Sequence, residues 1–430
     1  MADGSMDKDL ATGMADHELS YLLLLMHGAQ WIMGVKDDPY ALLLRAASDD
    51  PHDLGRRMRS RGPLYRSHAA VWVTAHHDLA AAALSDARLG PEYAAPQEPD
   101  EARAERERVL PFDLPRMEQL LPLGQASLTL GRPACERLRA LTRAVLDGVE
   151  DLAADLCARR VRTLDGDFDL RDDLARPVAV AAVAEVLGLR ASDGERFAEL
   201  CAGTDGALDA TLCPPLLAPA RRLTAAITGM RELLDGSLRR NGGSTGRLVD
   251  AAVGEGRSLD DALAACVSLA VVGVDMAINL VCDAVQALLD HPEAWERVRD
   301  EPACAALAIE ETMRYAPPVR LHRLFSHEDV ELGGHKVRVG DEVVVVVEAA
   351  ERDPAVYDDP DRFSLERGGR AALPDGPLTE PAGPPARRMA AATLRTIADE
   401  LPRVRRTGPV LRRPRSPITR GVLRFPAAVR

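Results

Sequence analysis

Glu311 and Arg314, three residues apart in the run EETMRYAPP, are the first residues whose types and spacing suggest chemistry. On an exposed helix such a pair is common and weakly stabilising, so the spacing alone does not separate a surface pair from a buried one. Other reactive sets are absent. His76 and His77 are adjacent instead of spaced for one helix face, and no cysteine cluster joins them, so a zinc centre has no support. Neither a GxGxxG turn nor a GxxxxGK[ST] loop occurs, which removes the usual dinucleotide and triphosphate sites. The seven cysteines (Cys135, Cys157, Cys201, Cys213, Cys266, Cys282 and Cys304) form no CxxC pair. An odd, scattered set is not a disulfide framework, and a reducing cytoplasm is the expected location.

The elements that must position these residues are mostly helices. Apolar residues recur at helical spacing over 132–162 and 175–189, and a long apolar helix is predicted over 259–289, ending near His291-Pro292. Near the start, DDPYALLLR carries a helix-start signal, because proline at a first helical position loses no hydrogen bond. The alternating stretch 62–75 predicts a short hairpin. Residues 330–347 read as two strands, DVEL and VVVVV, joined through Gly333-Gly334 and Gly340-Asp341. A final helix is expected over 386–401, and NGGSTG at 241–246 is a turn. The fold class is therefore mainly α with small β-sheets. An N-terminal extension and first helix over 1–60 and one large domain over 61–430 are expected.

Composition narrows the partners. With 430 residues, 46% of them hydrophobic, the chain can bury a large core. A formal net charge of −13 opposes binding to nucleic acid and to anionic membranes. The apolar run 22–26 is too short to span a membrane and lacks the flanks of a signal peptide. After Glu400 there are nine arginines and no acid. That tail is either a docking patch for an acidic partner or a solvated hairpin, and the hairpin is favoured. The acidic stretch 98–107 is a second interface candidate against a solvated face.

From about residue 120 onward the chain resembles a bacterial cytochrome P450. The matching pieces are FDLRDDLARPVAVAAVAEVLGL, VVGVDMAINLVCDAVQALLDHPEAW, EETMRYAPPVRLHR, EDVELGG and RDPAVYDDPDRF, in that order. The resemblance implies that Glu311, Arg314 and Arg362 form a buried ion-pair triad tying the Glu-x-x-Arg helix to the meander before the haem loop. Removing one member of such a network would strand a buried charge, at roughly 3–5 kcal/mol.

The chemistry-bearing positions of that family depart from its pattern. Where the family has its Phe-Gly-x-Gly-x-His-x-Cys loop, this chain has GGRAALPDGPLTEPAGPPARR. No cysteine follows Cys304 and no histidine follows His335, so Met389 is the only conventional axial donor beyond the triad. The acid of the family's acid–threonine pair matches Asp275, but Met276 stands for the threonine, and a thioether cannot relay a proton. Cys135 stands where a propionate-contacting histidine is common, while Arg139 and Arg323 remain at propionate-contacting positions.

This pattern resembles the P450-derived glycosyltransferase activator proteins of antibiotic pathways, including GAQWIMGVKDDPYALLLR, DEVVVVVEAAERDP and GPVLRRPRSPITRG. The resemblance implies a P450 fold without haem, no catalysis, no cofactor or metal, and a glycosyltransferase as partner. That partner would attach a deoxysugar to a macrolide or aromatic polyketide. Tyr21 and Trp31, with the apolar segment 21–26, are candidate partner contacts, because aromatic anchors dominate interface hot spots; a helix packed on its own core is the equal alternative. A haem monooxygenase with an unusual ligand such as Cys304 or Cys266 is the alternative function. A glycosyltransferase itself would need alternating strands and helices, which the long helical runs oppose.

Overall fold

The computed structural model describes residues 14–46, 50–93, 114–143, 147–240, 250–252, 254, 256–367 and 372–429. The acidic stretch 98–107 and the turn at 241–246 lie outside them.

Helices dominate, and the signals that begin them are those in the sequence. Asp38 accepts hydrogen bonds from the backbone of Tyr40 (3.0 Å) and Ala41 (3.2 Å), with Pro39 opening the helix Pro39–Arg45. Ser258 and Asp261 form a reciprocal cap for the central helix. That helix runs Leu259–Ser268, passes through one π turn at Leu269–Gly273, and continues as Val274–Asp290. It is long and apolar enough to cross a membrane, yet 94% of its apolar window is buried inside the protein. The final helix, Gly383–Glu400, packs along it, and so does the Glu-x-x-Arg helix, Cys304–Tyr315.

The sheet differs from expectation. Leu321–Ser326 and Glu342–Val346 pair antiparallel at its centre, and Trp72–Thr74 joins Glu342–Val346 in parallel register, with Trp72 opposite Val343. Tyr65–Arg66 and Leu89–Gly90 form the edges. The expected pairing of DVEL with VVVVV is therefore corrected. Val330–Leu332 turns back through Gly333 and Gly334, both at positive φ, onto His335–Val337, while the valine run is a separate strand. A run of valines buried on both faces belongs in a sheet interior, and its partner, Leu321–Ser326, carries no alternating signal of its own.

The C-terminal segment closes the molecule. Leu411–Arg412 pairs with Val422–Arg424, and Pro426–Ala428 lies between Asp167–Asp169 and Arg405–Arg406. Several of its arginines are paired with acids elsewhere in the chain, and Arg403, Arg405 and Arg415 are exposed. Arg406 reaches Asp290 (2.8 Å), Arg413 reaches Asp275 (3.0 Å), Arg412 reaches Asp283, and Arg420 and Arg424 stand within 4 Å of Glu348 and Asp169.

Candidate functional site

Glu311 and Arg314 form a buried pair, bidentate at 2.8 and 3.0 Å. Arg314 also donates to the carbonyls of Glu351, Pro360 and Arg362 at 2.8–3.0 Å, which ties the helix to the meander. The expected third member, Arg362, is corrected. Its side chain is exposed, and only its carbonyl enters the network, because the neighbouring Phe363 takes the inward position. Arg367 stands in its place: its Nε lies 3.1 Å from Glu311, and its terminal nitrogens donate to the carbonyls of Asp358, Asp359 and Arg362. The signal available in the sequence was only a second arginine five residues on.

The central helix carries a polar face within an apolar body. Asp275, Asn279 and Asp283 recur every fourth residue and so share one side of the helix. Each meets the C-terminal segment. Arg413 donates to Asp275, the backbone N–H of Val422 donates to Asn279 Oδ1 (3.1 Å), and Arg412 holds Asp283 and Gln286 together. Beside them the Asp209 carboxylate accepts from the hydroxyls of Ser416 and Thr419 (2.7 Å each) and from the backbone of Ile418 and Thr419. Burial pushes the Asp275 carboxyl above its ordinary value, and Arg413 pulls against it. Asp275 is thus one half of a buried ion pair, and Met276 beside it is buried as well.

Whether these residues fit a haem can be tested on three grounds. The first is the ligand. Every cysteine is free and buried, burial pushes the thiols of Cys135, Cys157, Cys201 and Cys266 up to about 12, and none stands in the proline-rich segment that replaces the thiolate loop. Cys304 is also shifted upward, first by burial and then by Glu301. The second is the pair of arginines at propionate-contacting positions, which are already neutralised by the chain's own carboxylates. Arg139 is paired with Glu380 and Arg323 with Glu118. Glu380 belongs to the proline-rich segment that replaces the thiolate loop.

The third ground is space. In the family the ring lies between the central helix and the thiolate loop. Here a Cβ placed on Gly273 of the central helix would lie 3.6 Å from the Cβ of Ala382, so the gap between the two walls has room for about one methyl group. A flat ring touching both walls needs them roughly 7 Å apart. The same segment is fixed by Thr142, whose hydroxyl donates to the Pro381 carbonyl (2.8 Å), and by Arg387, which pairs with Asp375 at 2.8 Å. His322 fills the space beside Gly376 so closely that any side chain at 376 would collide with its ring. Burial, and then Arg132, lower the His322 imidazole to about 4. The residues present do not fit haem.

The N-terminal helix, Asp16–Gly34, has two characters. Leu19, Leu23 and Ala29 face the core, while Tyr21, Leu24, Trp31 and Ile32, with Val35 just beyond, are exposed, Tyr21 at 63% and Trp31 at 59%. Gly28 lies open between them. The Arg45 guanidinium sits 4.3 Å over the Trp31 ring.

Comparison with known proteins agrees with this architecture. The family model described as cytochrome P450 matches residues 304–368. Protein AknT of Streptomyces galilaeus is 40% identical over 430 residues, covering 96% of each chain. The cytochrome P450 family protein EryCII of Saccharopolyspora erythraea is 31% identical, covering 94% of this chain and 96% of its own. Among solved structures, epothilone D-bound cytochrome P450epoK superposes with a TM-score of 0.73 at 24% identity, covering 89% of this chain and 96% of that one.

Proposed function

Because the chain belongs to the cytochrome P450 family, in its branch of glycosyltransferase auxiliary proteins, we propose that it makes no bond itself and acts by binding a deoxysugar glycosyltransferase of polyketide antibiotic biosynthesis. The observation that carries the non-catalytic half of this reading is the internal neutralisation of Arg139 and Arg323 by Glu380 and Glu118. A haem would have to displace both carboxylates and widen the narrow gap between Ala382 and Gly273 before its iron met any ligand.

The activating half follows from linkage. A partner that binds only the competent conformation of the transferase raises its population by the difference in affinity, and binding the folded form protects it from unfolding. The exposed face bearing Tyr21 and Trp31 supports a contact there. It gathers five of the large hydrophobic side chains that remain exposed among the described residues, and isolated exposures are the commoner case. The Glu311–Arg314–Arg367 network has a structural role in this reading, and the cytoplasm is the site of action.

The test is an absorption spectrum of protein expressed with ample haem, alongside sugar transfer by the candidate glycosyltransferase with and without it. No Soret band, together with a gain in transfer in the mixture, is expected. A stoichiometric Soret band would overturn the non-catalytic reading, and a transferase equally active and stable alone would overturn the activating one.

A further inference from the structure

A cleft of about 370 Å³ lies between the helix Pro51–Arg59 and the short helix Val347–Ala350 with the meander that follows. Its construction begins with Gly55, where a Cβ would come within 2.8 Å of the Ala349 Cβ, so that only glycine allows the two helices this approach. On the same helix His52, Arg56 and Arg59 stand four and three residues apart, which places all three on one face, and all three line the cleft. Glu348, Arg352 and Asp361 line the other side.

The charges there are unevenly satisfied. Glu348 is taken up by Arg320, with Arg420 and His52 each 3.7 Å away, and the two arginines outweigh burial and hold its carboxyl at about 2. Asp361 pairs with one nitrogen of Arg352 (3.1 Å) and is otherwise largely exposed. Arg56 has only Asp53 at 3.3 Å, and Arg59 donates one nitrogen to the Ala349 carbonyl. Nε of Arg352, a residue only 6% exposed, makes no hydrogen bond, and Nδ1 of His52 makes none beyond its 3.7 Å approach to Glu348. The cationic excess is local, since the whole chain carries −13.

We infer that this cleft binds a small oxyanion, a carboxylate or phosphate group, held by Arg56 and Arg59 with the charge of the buried Arg352 behind them. Guanidinium forks match the paired oxygens of either group, and Pro51, Pro354 and Pro360 flank the site. The oxyanion comes either from a free phosphorylated compound or from an acidic side chain of a bound protein, and His52 is positioned to report it.

The test titrates inorganic phosphate into the full-length protein, followed by calorimetry and by the imidazole resonances. Saturable binding with a Kd on the order of 1 mM, moving the His52 resonance, is expected for a free anion. Arg56→Gln, whose parent side chain is exposed and outside the core, should weaken that binding about tenfold without changing the melting temperature. Arg59→Gln is the second variant. If phosphate does not bind but Arg56→Gln lowers affinity for the glycosyltransferase tenfold, the oxyanion is a protein carboxylate. If phosphate leaves His52 unmoved and both variants bind the transferase as the parent does, the inference is overturned.

Discussion

Replacing Arg413 by methionine should be among the most damaging single changes outside the hydrophobic core. The substitution leaves Asp275 in the central helix, almost fully buried, with its 3.0 Å partner gone and an apolar stem in its place. Breaking a buried pair from one side costs about 3–5 kcal/mol. At about 2.1 cal/mol/K of unfolding entropy per residue, 430 residues give roughly 0.9 kcal/mol/K, so the melting temperature should fall by about 3–6 °C. Adding Asp275→Asn to Arg413→Met removes the stranded charge and should return more than half of that loss. The deficit of the single variant should also shrink as pH falls, because an unpaired buried carboxyl relieves itself by taking a proton. Differential scanning fluorimetry across pH measures all three. A single variant within 1 °C of the parent, or a double variant no better than the single, would refute the view that the C-terminal segment is clamped through Asp275.

Other consequences are equally direct. Arg367→Met should lower stability by about 2–4 kcal/mol and Arg362→Met by less than about 0.5 kcal/mol, since only Arg367 touches Glu311 through its side chain; denaturant titration of both variants decides between them. His322, held near 4 against an ordinary 6.5, is neutral in the folded protein at neutral pH. Its contribution is complete above pH 6.5 and is lost as pH falls toward 4, on the order of 3 kcal/mol, so His322→Gln should flatten the acid limb of a stability–pH curve. Glu348, held at about 2 against 4.5, contributes stability that is complete above pH 4.5 and is lost toward pH 2, and Glu348→Gln should remove that dependence. Tyr21→Ala with Trp31→Ala should leave the melting temperature nearly unchanged and lower transferase affinity by at least tenfold; unchanged affinity would move the contact elsewhere.

Local signals were readable in the sequence where the physics is local. Asp38-Pro39 starts a helix by its own chemistry, and the long apolar run at 259–289 had to be a buried helix or a membrane span. The Glu311–Arg314 pair was legible for the same reason, being one turn of one helix. What failed was pairing at long range. Arg367 was chosen over Arg362 by the direction in which the meander turns, and no local pattern encodes that. The nine acid-free arginines at the end and the acids every fourth residue in the central helix are each visible alone. Their match needs more than 120 residues of intervening fold to bring Arg412 to Asp283 and Arg413 to Asp275. The carboxylates that neutralise Arg139 and Arg323 were hidden for the same reason, lying 241 and 205 residues away from their partners.

The narrow gap between Ala382 and Gly273 also bears on redesign. Installing a cysteine in the proline-rich segment would supply a sulfur but no slot, because only that narrow gap separates the segment from the helix, and Glu380 and Glu118 would still hold the two arginines. Each reversal taken alone removes a favourable interaction and restores nothing. Building a haem site into this scaffold would therefore take several simultaneous changes, each harmful by itself.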